Sequence, residues 1–485
     1  MRRFFVKNIL FVITVNALVK PIWVFFIDRV VQNRVGEAAY GTYSSLLSLS
    51  IIFSIILDFG ITNYNSRTIS QNPDELKTLF PSMLTARLLL ILIYTGIVCG
   101  VAFASGYELW EIGMLCGVLL IQSLNSLLLF IRSNVAALQK FKTDGMLSVT
   151  DRFLMILVCG FLLVFPNTGS NFKIEWFIIA QIACYFTACV IAYSVLKQIH
   201  EIKLRISLHA PTLFKIIKDS SWYALFIFLM SVYIRSDMQL LKWIGGAEQA
   251  GIYTASYRLL DVSINMFGSM FAAVLLPLFG KMLAEKQDVN QIVTLCVNIM
   301  LPISFIVSVA AAFYGAPIMH LLYPAATDHW GIIFGWVMAA FPGFSIMYVY
   351  STLLTANGNL KILSLIAGVG AIFNILLNIY FIEKQQALGA AIVCAITETL
   401  VGIGYIIFCV KRLNVSMKTR WILSHIVFLC LITAIAYGTT LLHLNWLYAI
   451  SIFAVACCLL VFVFGFISVQ GVKQLISSKT NSAAT

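Results

Sequence analysis

Four charged residues stand where apolar helices should exclude them. Arg235 and Asp237 lie in the run 220–244, and Arg258 and Asp261 in the run 254–280. Between the runs, Gly245–Tyr253 (GGAEQAGIY) reads as the turn of a transmembrane hairpin. At ~1.5 Å rise per residue, Arg235 lies ~13 Å from Ile244 and Asp261 ~12 Å from Tyr253. The arms therefore carry both charge pairs at one depth. An ionisable group there costs at least ~2.5 kcal/mol, so it should face an interior or a water-filled cavity. The arginine fork suits phosphate, and lysine suits it as a point charge. The alternative is neutralisation by Asp237 and Asp261, since Arg258 and Asp261 share a helix face at i,i+3.

Other chemistry-bearing residues are dispersed along the chain. Lys20 precedes Pro21, which leaves the Ala17 carbonyl without its helical donor and predicts a bend. Arg87 lies two turns inside a span that begins near Phe80, where it either lines a cavity or snorkels to the interface. Asp58, Asp237, Asp261 and Glu398 are the candidate carboxylates within spans. Glu398 is the most isolated of them. A buried carboxylate can carry a proton and so couple transport to an ion gradient; the alternative is a hydrogen-bonded acid in a helix contact. Asn374 and Asn378 share a face at i,i+4. They bind sugar or cation, or they hold helices together.

The elements that position these residues follow from composition. Hydrophobic residues make up 61% of the chain, charged residues 11%, and the mean hydropathy is +0.94. That pattern excludes a soluble domain and predicts an integral membrane helix bundle. Segments of roughly 20 apolar residues recur at 8–27, 40–62, 80–104, 110–131, 146–166, 175–196, 220–244, 254–280, 291–313, 330–355, 362–382, 387–410, 421–442 and 446–468. The N-terminal run follows Arg2-Arg3 and lacks an A-x-A cleavage site, so it reads as a retained first helix. The expected fold is an all-α polytopic membrane protein of about 14 transmembrane helices.

Lysine and arginine assign the sides. Of 32, 22 fall in one alternating set of loops and four in the other. This places both termini in the cytoplasm. It also accounts for the net charge of +12 without nucleic acid. The eleven cysteines lie in apolar runs without a CxxC pair, as small buried hydrophobes rather than disulfides or metal ligands.

The longest basic loop, 197–219, divides the chain. It predicts a six-helix lobe over 1–205, a second over 206–412, and two further helices with a tail over 413–485. Gly36, Gly41 and Tyr43 (GEAAYGTY) match Gly246, Gly251 and Tyr253 (GAEQAGIY) in equivalent positions. With six helices per half, this is a parallel repeat about an axis along the membrane normal. Ordinary hairpin chemistry is the alternative explanation of the match.

Four stretches carry a resemblance: GEAAYGTYSSLLSL at 36–49, LDFGITNYNSRTIS at 57–70, GIYTASYRLLD at 251–261, and TANGNLKILSLIAGVGAIFNILLNIYFIEKQQALGAAIVCAITE at 355–398. Over about residues 1–412 the chain resembles the multidrug/oligosaccharidyl-lipid/polysaccharide exporter superfamily. Within it, the chain is similar to the Wzx-type O-antigen and polysaccharide flippases. The segment IEKQQA lacks the Pro-Gly often found there.

The resemblance implies a flippase for undecaprenyl-pyrophosphate-linked oligosaccharide in the bacterial inner membrane, working by alternating access. Lys20, Arg87, Arg235 and Arg258 would bind its phosphates. Asp237, Asp261, Glu398, Asn374 and Asn378 would couple H+ or Na+. The expected partners are the lipid-linked oligosaccharide, the bilayer and other glycan-assembly membrane proteins, with no cofactor and no metal. A drug or cation exporter of the same superfamily is the alternative, disfavoured by the cations within spans. A membrane glycosyltransferase, polymerase or ligase would need a large outer loop; the longest here, 314–329, offers only His320, Asp328 and His329. The sequence has no Walker loop, dinucleotide fingerprint or nucleophile elbow.

Overall fold

The computed structural model describes residues 19, 21–164, 172–200, 202, 210–413, 415–416 and 419–466. Ten helices among the described residues are long and apolar enough to cross a bilayer. By its contacts the chain forms two compact units, Met1–Thr254 and Ala255–Thr485.

In the first unit a π-helical segment, Trp23–Asp28, runs directly into α1 (Arg29–Val35), and α2 spans Glu37–Ile52. Lys20 lies outside the described residues. The sequence predicts one continuous span over 40–62. Instead the helix stops at Ile52, passes through a 3-10 turn at Ser54–Leu57, and restarts as α3 (Ile61–Gln71). Phe59 (φ 39°) and Gly60 (φ 82°) form the corner. Glycine favours this left-handed geometry, and the Asp58 carboxylate holds the restart by accepting from the Thr62 backbone N–H at 3.0 Å. Non-helical backbone at membrane depth persists only where it is buried in protein or lines a wet cavity.

Next come α4 (Leu76–Ala104), α5 (Leu109–Ala137), α6 (Phe141–Val164), α7 (Ile174–Ile199) and α8 (Ala210–Gly245). The Tyr94 hydroxyl on α4 donates to the Ser50 carbonyl at 2.9 Å, satisfying a group near the broken end of α2. An apolar core from Trp23 to Ile202 unites α1 to α7.

The chain passes from α8 to α9 (Ala247–Ala284) at Gly246, whose φ of 90° matches the 83° of Gly36 between α1 and α2. The second glycines of the repeat meet. A Cβ on Gly41 would lie 1.9 Å from the Ala247 carbonyl oxygen, and one on Gly251 would lie 2.1 Å from that of Glu37. The two copies of the motif therefore cross backbone to backbone, with the Gln32 amide donating to the Gly251 carbonyl at 2.9 Å. Tyr43 and Tyr253, both buried, hydrogen-bond to Gln181 and Asp237 respectively.

The second unit continues with α10 (Asn290–Leu322), α11 (Asp328–Ala339), α12 (Phe341–Ala356) and α13 (Leu360–Leu413). Its last helices are α14 (Thr419–Leu441) and α15 (Trp446–Val463). Within α13 the backbone turns at Gln386 (φ 52°), between the runs 362–382 and 387–410 read from the sequence. Helices α10, α14 and α15 share an apolar cluster, and the Tyr314 and Thr439 hydroxyls bond at 2.5 Å.

Candidate functional site

The break after α2 leaves open space in the first unit. A cavity of about 520 Å³ lies beside it, with Ser54, Asp58 and Thr62 on the broken segment and Arg87 on α4. The opposite wall is one stripe of α5: Gln122, Asn125, Ser126, Leu129, Arg132 and Ser133. Spacings of three and four residues put them on a single helix face. Leu57, Ala136, Asp144 and Ile227 also line it.

Two arginine–carboxylate pairs organise the walls. Arg87 is 1% exposed; its Nη2 bonds Asp58 and the Thr62 hydroxyl, and its Nη1 donates to the Ser126 carbonyl at 3.1 Å and hydroxyl at 2.8 Å. The guanidinium also lies 4.8 Å over the Phe130 ring, a favourable stacking of cation on aromatic face. Asp58 is 31% exposed, so the pair has a dry end and a wet end. Nearer the basic loops, Arg132 donates from Nε to Asp144 at 2.9 Å, and both side chains are partly buried. The Gln122 and Asn125 amides are half-buried. Neither makes a hydrogen bond among the described residues.

Of the residues read from the sequence, Arg87 and Asp58 meet here. Arg235 is half-buried on α8, and Asp237 is 2% exposed and accepts from Tyr253 at 3.2 Å. Arg258 and Asp261 are half-buried on α9, in the second unit. Glu398 is 2% exposed on α13, where the Gly343 backbone packs against its own. Asn374 donates to the Thr397 hydroxyl at 3.2 Å, and Asn378 to the Asn374 carbonyl at 3.0 Å. That geometry joins the two arms of α13.

In the sequence Gln122, Asn125 and Ser126 carry no assigned role, and Arg132 and Ser133 fall just past the span 110–131. The signal for the first three is their i,i+3,i+4 spacing as polar residues within that span. Asp28 likewise carries no assigned role there; it is 4% exposed at the end of the π-helical segment and accepts from the Tyr40 hydroxyl at 2.7 Å. A further tie joins α8 to the start of α5: Lys242 pairs with Glu111 and stands 4.0 Å from the centre of the Tyr107 ring, while the Gln239 amide bridges Ser45 and Tyr107.

The fold recurs among solved membrane transporters. The lipid II flippase MurJ in an inward closed conformation superposes with a TM-score of 0.73 at 15% identity, over 96% of this chain and 99% of that one. A multidrug-resistance MATE-family transporter of the MOP superfamily in its inward-facing conformation gives 0.58 at 11% identity, over 82% and 94%. A MOP superfamily transporter from Pyrococcus furiosus gives 0.59 at 11% identity, over 84% and 96%. No curated protein matches the sequence. The family described as polysaccharide biosynthesis protein matches residues 5–283. A multi-pass helical membrane protein with a polar cavity and the fold of these transporters, the chain belongs to the polysaccharide biosynthesis protein family.

Proposed function

We propose that the chain is a flippase for undecaprenyl-pyrophosphate-linked oligosaccharide, carrying an O-antigen, capsule or exopolysaccharide repeat unit across the bacterial inner membrane. The observation that carries this reading is the polar cavity: arginines, carboxylates, amides and hydroxyls gathered inside apolar helices of a chain from a polysaccharide family. A wholly apolar cargo needs no such lining, whereas a glycan headgroup does, because each hydroxyl taken from water must find a partner. The flippase whose fold it shares supports the same class of cargo.

The working arrangement is fourteen spans with cytoplasmic termini. Six-helix lobes over 1–205 and 206–412 would alternate access, with two added helices over 413–485. Of the four cations expected to bind the pyrophosphate, Lys20, Arg235 and Arg258 keep that assignment and Arg87 is set apart by its pairing with Asp58; Asp237, Asp261, Glu398, Asn374 and Asn378 would couple an ion gradient. The protein moves its substrate without changing a bond.

The test is depletion of the protein in its own cells, followed by extraction of lipid-linked glycan. The expected result is loss of surface polysaccharide with accumulation of a complete lipid-linked repeat unit, restored by the wild-type gene. An incomplete or absent repeat unit would indicate a transferase. Unchanged surface glycan with altered drug tolerance would indicate an exporter.

A further inference from the structure

We infer that the cavity beside Arg87 is a subsite for the sugar hydroxyls of the cargo, not for its pyrophosphate, with Gln122 and Asn125 as the recognising groups. The inference rests on the flippase reading and specifies which end of the substrate this part of the protein holds.

Charge balance is the first argument. Among the described residues the lining carries two arginines and two carboxylates, already paired as Arg87 with Asp58 and Arg132 with Asp144. A pyrophosphate would have to displace those carboxylates and leave them near its own negative charge in a partly dry site. No further cation among the described lining residues offsets that repulsion. Arg87 is committed on several sides, to Asp58, Thr62 and Ser126, and is 1% exposed.

What the cavity does offer is neutral and bidirectional. Each amide supplies two donors and an acceptor, and each hydroxyl supplies both. Gln122 and Asn125 lie one turn apart on the same face of α5 with no hydrogen-bond partner among the described residues. Asp58, anchored by Arg87, presents a wet carboxylate edge 31% exposed. Adjacent sugar hydroxyls both donate and accept, so they match paired amides beside an anchored carboxylate. A volume of about 520 Å³ falls within the ~300–1,000 Å³ usual for small-molecule sites.

The experiment uses the purified full-length protein in lipid nanodiscs. One probe is the oligosaccharide released by mild acid from the undecaprenyl-linked pool of the source cells. The second is undecaprenyl pyrophosphate without sugar, and the third is the intact lipid-linked glycan. The variant is Gln122→Ala/Asn125→Ala. Loss of two net hydrogen bonds should weaken oligosaccharide binding about thirtyfold, with undecaprenyl pyrophosphate bound as by wild type.

Equal oligosaccharide binding by variant and wild type would overturn the subsite, while binding of the intact glycan would leave the flippase reading standing. Weakened pyrophosphate binding with oligosaccharide unaffected would make this an anion site and overturn the inference. If wild type binds none of the three probes, the flippase reading fails and the subsite with it. Should the double variant misfold, Asn125→Cys in a cysteine-free background supplies the second readout. The free oligosaccharide should slow its thiol labelling and undecaprenyl pyrophosphate should not; the reverse would refute the assignment.

Discussion

Asp58→Ala should destabilise the first unit more than Arg87→Met does, although both changes break the same ion pair. The asymmetry follows from exposure: Arg87 is 1% exposed and Asp58 31%. Removing the carboxylate strands a buried guanidinium. Breaking a buried pair in this way costs about 3–5 kcal/mol. It also removes the acceptor for the Thr62 N–H at 3.0 Å, a cap-like bond worth about 1 kcal/mol.

Removing the arginine leaves a carboxylate that cavity water can solvate. Methionine keeps the packing against Phe130, so the loss is mainly the hydrogen bonds to Ser126 and is about 1–2 kcal/mol. The double variant Arg87→Met/Asp58→Ala should therefore stand about 1 kcal/mol above Arg87→Met alone, the lost Thr62 bond, which requires a coupling of about 3–5 kcal/mol between the sites. The assay is reversible unfolding by denaturing detergent in mixed micelles, followed by tryptophan fluorescence. Additive costs in the double variant, or an Asp58→Ala cost below about 0.5 kcal/mol, would refute the description of this pair as one buried and one wet charge.

Other outcomes follow from the same packing. Gly251→Ala would drive a Cβ to 2.1 Å from the Glu37 carbonyl oxygen; it should cost about 1–3 kcal/mol by overpacking in the same unfolding assay. Gly100→Ala, where nothing lies within 4 Å, should stay within about 0.5 kcal/mol of wild type. For topology, Ala325→Cys should react with an impermeant thiol reagent in intact cells and Glu285→Cys should not, in a cysteine-free background. Both positions are exposed, whereas the neighbouring Ala326 is only 7% exposed and would label poorly on either side. Labelling of Glu285→Cys from outside would reverse the orientation. If Arg258 only neutralises Asp261, Arg258→Ala/Asp261→Ala should restore glycan export lost in Arg258→Ala; continued loss would support contact with substrate.

The class of this protein is decided by composition alone, since transfer of each apolar residue into lipid depends little on its neighbours. The turn glycines Gly36 and Gly246 were legible for a related reason: a left-handed φ is a local demand. What local rules missed is the interruption at Phe53–Gly60. By hydropathy that stretch continues a span, and only packing that buries or hydrates the freed backbone lets the break persist. The pairing of Arg87 with Asp58, 29 residues earlier, depends on that break, so no spacing rule could reveal it.

The α5 stripe stands between these cases. Its 3.6-residue period was written in the sequence, but a polar stripe has no meaning until the facing wall is known. The reciprocal seating of Gly41 and Gly251 shows the same division. Their matched positions were visible as a repeat. That the two copies cross each other was decided by tertiary structure, because van der Waals contact between distant backbones is a property of the folded bundle and of no single segment.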